Sequence, residues 1–200
     1  MRKKLENSPT KQRILDQAQS LMIAKGFSGT SVDEVCAKAK VTKGNFFYYF
    51  KSKENLGQEL ISRFTAEKHK QTCCAMDQGN SDPLQRIYSS LDLMEEWAAH
   101  PDFKGCLVGT FSQEANAIGS KLKSMCCENF ERGAEFYARE FAQAIKKYPP
   151  KQAVTPKALA QFFLSGVQGS FVLMKATGDV GLVRSNIKLM RSFIESVFGK

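Results

Sequence analysis

The sequence predicts an all-α protein in two parts, about nine helices in all, and three observations carry that prediction. Apolar residues recur at helical spacing through most of the chain, and no segment reads as a strand. Ser, Thr and Pro stand where those patterns begin, and Gly or Pro where they stop. One polar, breaker-rich stretch, MDQGNSDP at 76–83, separates a region of short helices from a region of long ones.

Taken in order, Ser8, Pro9 and Thr10 open a first helix with Ile14, Ala18, Leu21 and Met22 on one face, and Gly26 closes it. Ser31 with Glu34 three residues on is a capping box for a short second helix that gives out near Lys40. Thr42 caps a third, equally short, and Ser52 a fourth that Leu56, Leu60, Ile61 and Phe64 carry to about Cys74. Pro83 sits in the first turn of the next helix, which reaches about His100. A helical segment follows from Cys106 to about Ile118, then a long helix over 120–147 that YPP stops. Thr155-Pro156 opens a helix to about Thr177, Gly178 ends it, and a last helix fills roughly 181–198. The expected domains are 8–70 and 76–200.

The formal charge of +9 is unevenly placed: residues 1–53 hold eleven Lys/Arg against four Asp/Glu, so most of the excess lies at one end. That asymmetry fits a polyanion, nucleic acid or anionic membrane, at the N-terminal part, and equally a solubilising face. There is no apolar segment of secretory or membrane-spanning length, so no membrane partner is expected and the protein is placed in the cytoplasm, on the nucleoid when bound to DNA. The six cysteines include two adjacent pairs and no CxxC or Cys/His zinc spacing, which suits free thiols in a reducing compartment. No metal and no cofactor are expected. His69 and His100 have no nucleophile or metal motif beside them, and no phosphate loop, HExxH or GxSxG occurs. An enzyme acting on a small molecule in the C-terminal part is the remote alternative.

A helix followed by two short helices across the tight connection AKVT (39–42) has the spacing of a helix-turn-helix. The second short helix would then lie in the DNA major groove. It contains FFYYF at 46–50, and the helical period sorts these rings. Phe46 and Phe50 share a face assigned to a small core with Val32, Val35 and Phe27. Phe47 and Tyr48 lie on another side with Lys43 and Gly44. Gly44 would let backbone approach the sugar-phosphate chain, and the helix N-terminus offers N–H groups to a phosphate. Tyr48 and Tyr49 would give hydroxyl bonds to phosphates, Lys53 would add charge, and Lys43 and Asn45 would read base edges.

The stretch GFSGTSVDEVCAKAKVTKGNFFYYFKSKENL (26–56) closely resembles the N-terminal helix-turn-helix domain of TetR-family transcriptional regulators. One departure is Phe47, where the family usually has Tyr, so a phosphate-contacting hydroxyl is missing there. The resemblance implies that Thr30, Ser31 and Thr42 also meet DNA, in addition to their capping roles. It implies a homodimeric repressor of a palindromic operator, released by a small-molecule inducer of unknown identity. It also implies that the last two helices pair with their mates, through Phe163, Gly166, Val167, Ser170, Ile187, Met190 and Ile194. Packing within one chain would produce the same pattern. A pocket in the middle helices follows by the same analogy, with Trp97, Phe103, Cys106, Phe111 and Phe130 as lining residues. Gly-Cys-Leu at 105–107 resembles a subgroup in which some members respond to oxidants or electrophiles, so thiol sensing through Cys106 is the alternative mode of control.

Overall fold

Ser31, Thr42, Ser52 and Thr155, the hydroxyl residues read as helix openers, each accept a backbone N–H three residues on, at 3.1 Å, in the computed structural model of the chain. The structure describes residues 8–77 and 81–200 and, among them, nine α-helices. They are α1 Pro9–Lys25, α2 Val32–Ala39, α3 Lys43–Tyr49, α4 Lys53–Met76, α5 Pro83–Ala99, α6 Leu107–Gln113, α7 Ser120–Lys147, α8 Pro156–Thr177 and α9 Gly181–Phe198. Two local features depart from the expectations. Ser8 does not cap α1; its hydroxyl lies 2.8 Å from that of Tyr49. The segment expected to be helical to about Ile118 leaves the helical ladder at Glu114 and continues as turns.

The described residues form two compact units: those up to Ala66 together with Cys106–Glu128, and Glu67–Gly105 together with Asn129–Lys200. The polar stretch 76–83 therefore lies within the span of the second unit, and 106–128 returns to the first. The cause is a core that needs side chains from both segments. In the first unit Ile14, Ala18 and Met22 of α1 are fully buried, with Val35, Phe46, Phe50, Leu56 and Leu60. Phe111 of α6 closes that core edge-on against Phe27, ring centroids 5.3 Å apart. Leu122 of α7 packs where a side chain on Gly57 would stand. Each such buried side chain contributes roughly 1.5–3 kcal/mol by leaving water. Arg63 ties α4 to α1, donating to Asp16 at 2.7 Å and Gln19 at 3.0 Å.

In the second unit α8 packs along α9, and α9 along α5. Phe163, Val167, Phe171 and Met174 are buried, as are Val183, Ile187, Met190 and Ile194. Ser170 donates to Gly166 O and accepts from Asn186. The aromatic cluster Tyr137, Phe141 and Phe163 fills the interior, with Tyr137 and Phe163 centroids 4.3 Å apart.

Asp82 opens α5, and its carboxylate is bonded from several sides. It accepts from the N–H groups of Leu84 (2.9 Å) and Gln85 (3.3 Å), from the Lys147 ammonium (2.9 Å) and from the Tyr148 hydroxyl. Burial alone would raise its pKa, but these donors together hold it well below the ordinary carboxylate range. A depressed folded-state pKa stabilises the fold above the unfolded value near 4, and that stabilisation is lost as pH falls below it. Asp82→Ala is accordingly expected to cost about 1–2 kcal/mol at neutral pH. The loss should shrink as the pH is lowered from 6 toward 3, read by thermal melting across that range.

Candidate nucleic-acid interface

The sequence places seven residues between the Thr42 cap and Phe50, and that length decides which side chains face outward. Phe46 and Phe50 are fully buried, one helical turn apart. Phe47 is 53% exposed and Tyr48 67%, which is unusual for adjacent large aromatics outside an interface. Edge-on contacts hold both: Phe47 against Phe46 at 5.2 Å, and Tyr48 against Tyr49 at 5.0 Å. Lys43, Gly44 and Asn45, at the start of α3, are exposed beside them. The face therefore carries one ammonium, one amide, one phenol and two apolar ring surfaces. It can bond an anionic backbone, meet base edges and press against sugar or methyl groups.

The turn from α2 into α3 is tight. Lys40 takes the left-handed conformation (φ 53°), and Val41 N donates back to Cys36 O at 3.0 Å, closing α2. A lysine in that region is strained relative to glycine by roughly 1 kcal/mol. The Lys43 ammonium donates to Asp33 at 2.8 Å, and this hydrogen bond, with the charge behind it, raises the Lys43 pKa. Lys43 is thus presented at the mouth of α3 by the helix before it.

Other expected contacts are placed differently. Thr30 is fully buried and its hydroxyl donates to Gly26 O at 2.8 Å, so it has no surface to offer DNA. Ser31 is exposed but occupied by its capping box with Glu34. Tyr49 is half-buried, its hydroxyl paired with Ser8. Lys53 is turned inward: its ammonium donates to Phe27 O (3.1 Å) and Thr30 O (3.0 Å) and lies 4.4 Å from the centre of the Phe27 ring. The physical reason is common to Thr30 and Lys53. The turn 26–30 leaves carbonyl groups inside the fold, and buried carbonyls must be bonded.

The five expected pocket residues are divided between the two units. Cys106 and Phe111 belong to the first unit, Trp97, Phe103 and Phe130 to the second. Phe111 is fully buried against Phe27, Phe103 stacks edge-on with Phe171 at 5.0 Å, and Trp97 carries the Lys68 ammonium 3.9 Å above its ring. Phe130 is half-buried. Cys106 caps α6, its Sγ accepting from Gly109 N at 3.4 Å, which accounts for the residue by local structure. An open cavity of about 520 Å³ lies in the first unit, beside Lys25, Ser28, Gln113, Glu114 and Asn116. The side chain that sequence reasoning missed in the second unit is Tyr137. It is buried, burial pushes its hydroxyl pKa up, and the hydroxyl has no partner of hydrogen-bonding geometry, with Ser90 as its polar neighbour. Its signal in the sequence, one of four aromatics in α7, is indistinguishable from plain core.

The expected dimer residues are likewise inside one chain. Phe163, Val167, Ser170, Ile187, Met190 and Ile194 are all buried within it, and the end of Met190 occupies the space above Gly166. The residues left facing out on α8 and α9 are Phe162, Val172, Leu173, Leu189 and Phe193. Phe162 and Phe193 touch across the two helices, centroids 4.7 Å apart.

A helix-turn-helix with an exposed aromatic and basic reading face, followed by long helices, defines a DNA-binding regulator. Residues 14–60 match the family model described as bacterial regulatory proteins, tetR family. Residues 83–185 match the C-terminal domain described as transcriptional regulator LmrA/YxaF-like. The transcriptional regulator AcuR of Cereibacter sphaeroides is 30% identical over 82% of this chain and 75% of its own length. The HTH-type transcriptional repressor DhaR of Mycobacterium sp. strain GP1 is 23% identical over 86% of this chain and 85% of its own. A regulatory protein TetR from Rhodobacter sphaeroides superposes with a TM-score of 0.85 at 26% identity, covering 92% of this chain and 98% of that one. The chain belongs to the TetR family of transcriptional regulators.

Lys53→Ala is expected to lower stability by about 2 kcal/mol, since two carbonyls lose a charged donor. The slope of DNA affinity against salt should stay unchanged, because the ammonium is committed to the turn. Melting curves and anisotropy titrations at two salt concentrations measure both.

Proposed function

We propose that the protein is a repressor that binds a palindromic operator as a homodimer in the cytoplasm and leaves it when a small-molecule inducer binds. Residues 8–70 read DNA in this scheme, and 76–200 hold the inducer and the second subunit. The observation that carries the DNA-reading part is the exposed pair Phe47 and Tyr48 beside Lys43, Gly44 and Asn45 on a capped helix. Lys43 and Asn45 read base edges, and Tyr48 and Thr42 hold phosphate. Phe47 gives an apolar contact where a hydroxyl is lacking.

Dimerisation is supported by the apolar strip Phe162, Val172, Leu173, Leu189 and Phe193, for which a single chain offers no cover. Paired subunits would set two reading helices about 34 Å apart, one turn of DNA. Inducer binding by the second unit is supported by the buried Tyr137 hydroxyl among aromatic rings, with Ser90 as its polar neighbour. A ligand that accepts its hydrogen bond would favour one conformer over another and shift the population away from the DNA-competent spacing.

Fluorescence anisotropy against duplexes tiling the DNA upstream of the gene tests the reading. Tight binding to one palindrome is expected, and uniform salt-sensitive binding everywhere would refute it. Lys43→Ala should weaken the palindrome by ~1–3 kcal/mol and relax preference at one position. Leu189→Glu should shift the protein from dimer to monomer in analytical ultracentrifugation and abolish preference for the full palindrome over its half.

A further inference from the structure

The turn 26–30 joins α1 to α2, and its backbone is held from two sides by two side chains distant in sequence. From the carbonyl side, Lys53 donates to Phe27 O and Thr30 O. From the N–H side, the Glu114 carboxylate accepts Phe27 N on one oxygen and Ser28 N on the other, both at 2.8 Å. Gly26 is fitted to this clasp. It has φ +87°, which disfavours other residues, and a Cβ there would stand 1.9 Å from Glu114 Oε1. Glu114 itself is anchored at the point where α6 ends, with Ala117 N and Ile118 N donating to its carbonyl.

Two charged groups, both distant in sequence, are bonded to this one five-residue turn. Their geometry fixes where α1 ends and α2 begins, and hence where α3 points. Glu114 lies on Cys106–Glu128, the part of the first unit that is continuous through α7 with residues of the second. The clasp is also reached by solvent, since Glu114 lines an open cavity beside Ser28 and Lys25. Its opening therefore exposes ions to water and not to an apolar interior.

We propose that Glu114 is a positioning residue for operator recognition: its carboxylate holds the turn 26–30 so that the reading helix keeps the orientation a full palindrome requires. The inference rests on the operator-binding function proposed above. Glu114 touches no DNA in this scheme. Losing the clasp leaves each reading head folded and able to bind half a site, but removes the preorganisation that lets two heads engage together.

The test compares wild type, Glu114→Ala and Glu114→Gln, full-length, on the operator duplex found by tiling and on a duplex carrying half of it. For Glu114→Ala a tenfold or larger loss on the full palindrome is expected, with less than threefold change on the half site. Glu114→Gln keeps the shape and one acceptor oxygen, so its loss should be intermediate. Amide hydrogen exchange at Phe27 and Ser28 should quicken in the same order in the free protein. Unchanged affinity for both duplexes would overturn the proposal. So would an equal loss on both, which would mark Glu114 as a residue of general stability. Should Glu114→Ala fail to fold, Glu114→Gln decides alone by the same ratio. Failure of wild type to prefer any duplex would refute the operator function instead, while the exchange rates still report whether the clasp exists.

Discussion

The backbone of residues 26–30 is the constraint on which the reading unit depends. A turn between two helices that pack against each other has its polar groups partly withdrawn from water, and those groups must find partners. Here the partners are the Thr30 hydroxyl for Gly26 O, the Lys53 ammonium for Phe27 O and Thr30 O, and the Glu114 carboxylate for two N–H groups. Each of these side chains is thereby withdrawn from other work. Phe27, at the centre of the turn, then recruits Phe111, and with it a segment more than eighty residues away.

The same logic partitions the aromatic cluster. Five aromatic positions in a row cannot all be buried on a seven-residue helix, because only one stripe faces the core. Phe46 and Phe50 take it, Tyr49 is half covered through Ser8, and Phe47 and Tyr48 are left in solvent. Keeping two large rings wet costs free energy, which a nucleic-acid partner would recover by covering them in the function proposed above. Lys43, held by Asp33, adds charge to that surface without being buried.

The C-terminal helices carry two apolar stripes about a hundred degrees apart, and periodicity favours the denser one. On α9 that stripe is Val183, Ile187, Met190, Ile194 and Val197, and it goes inside because it is what the chain's own core can cover. The sparser stripe, Leu189 and Phe193 with Phe162, Val172 and Leu173 from α8, stays outside. The family resemblance assigned the denser stripe to the partner, although packing within one chain produces the same pattern. Adjacent Phe162 and Phe163 illustrate the point: one residue's step turns a side chain from solvent to core.

Helix number, most capping residues, the all-α class and the exposed face of α3 were legible in the residues because each is set by local chemistry. A hydroxyl three residues from an N–H makes a cap unless, as at Ser8, a distant side chain takes it, and a period of 3.6 sorts rings on a short helix without help from elsewhere. The inward roles of Thr30 and Lys53, the clasp of Glu114 on a distant turn, the membership of 106–128 in the first unit and the choice of outward stripe were not legible. They depend on which buried polar groups need partners and which apolar faces find cover. Those are properties of segments brought together from far apart in the chain, and folding alone brings them together.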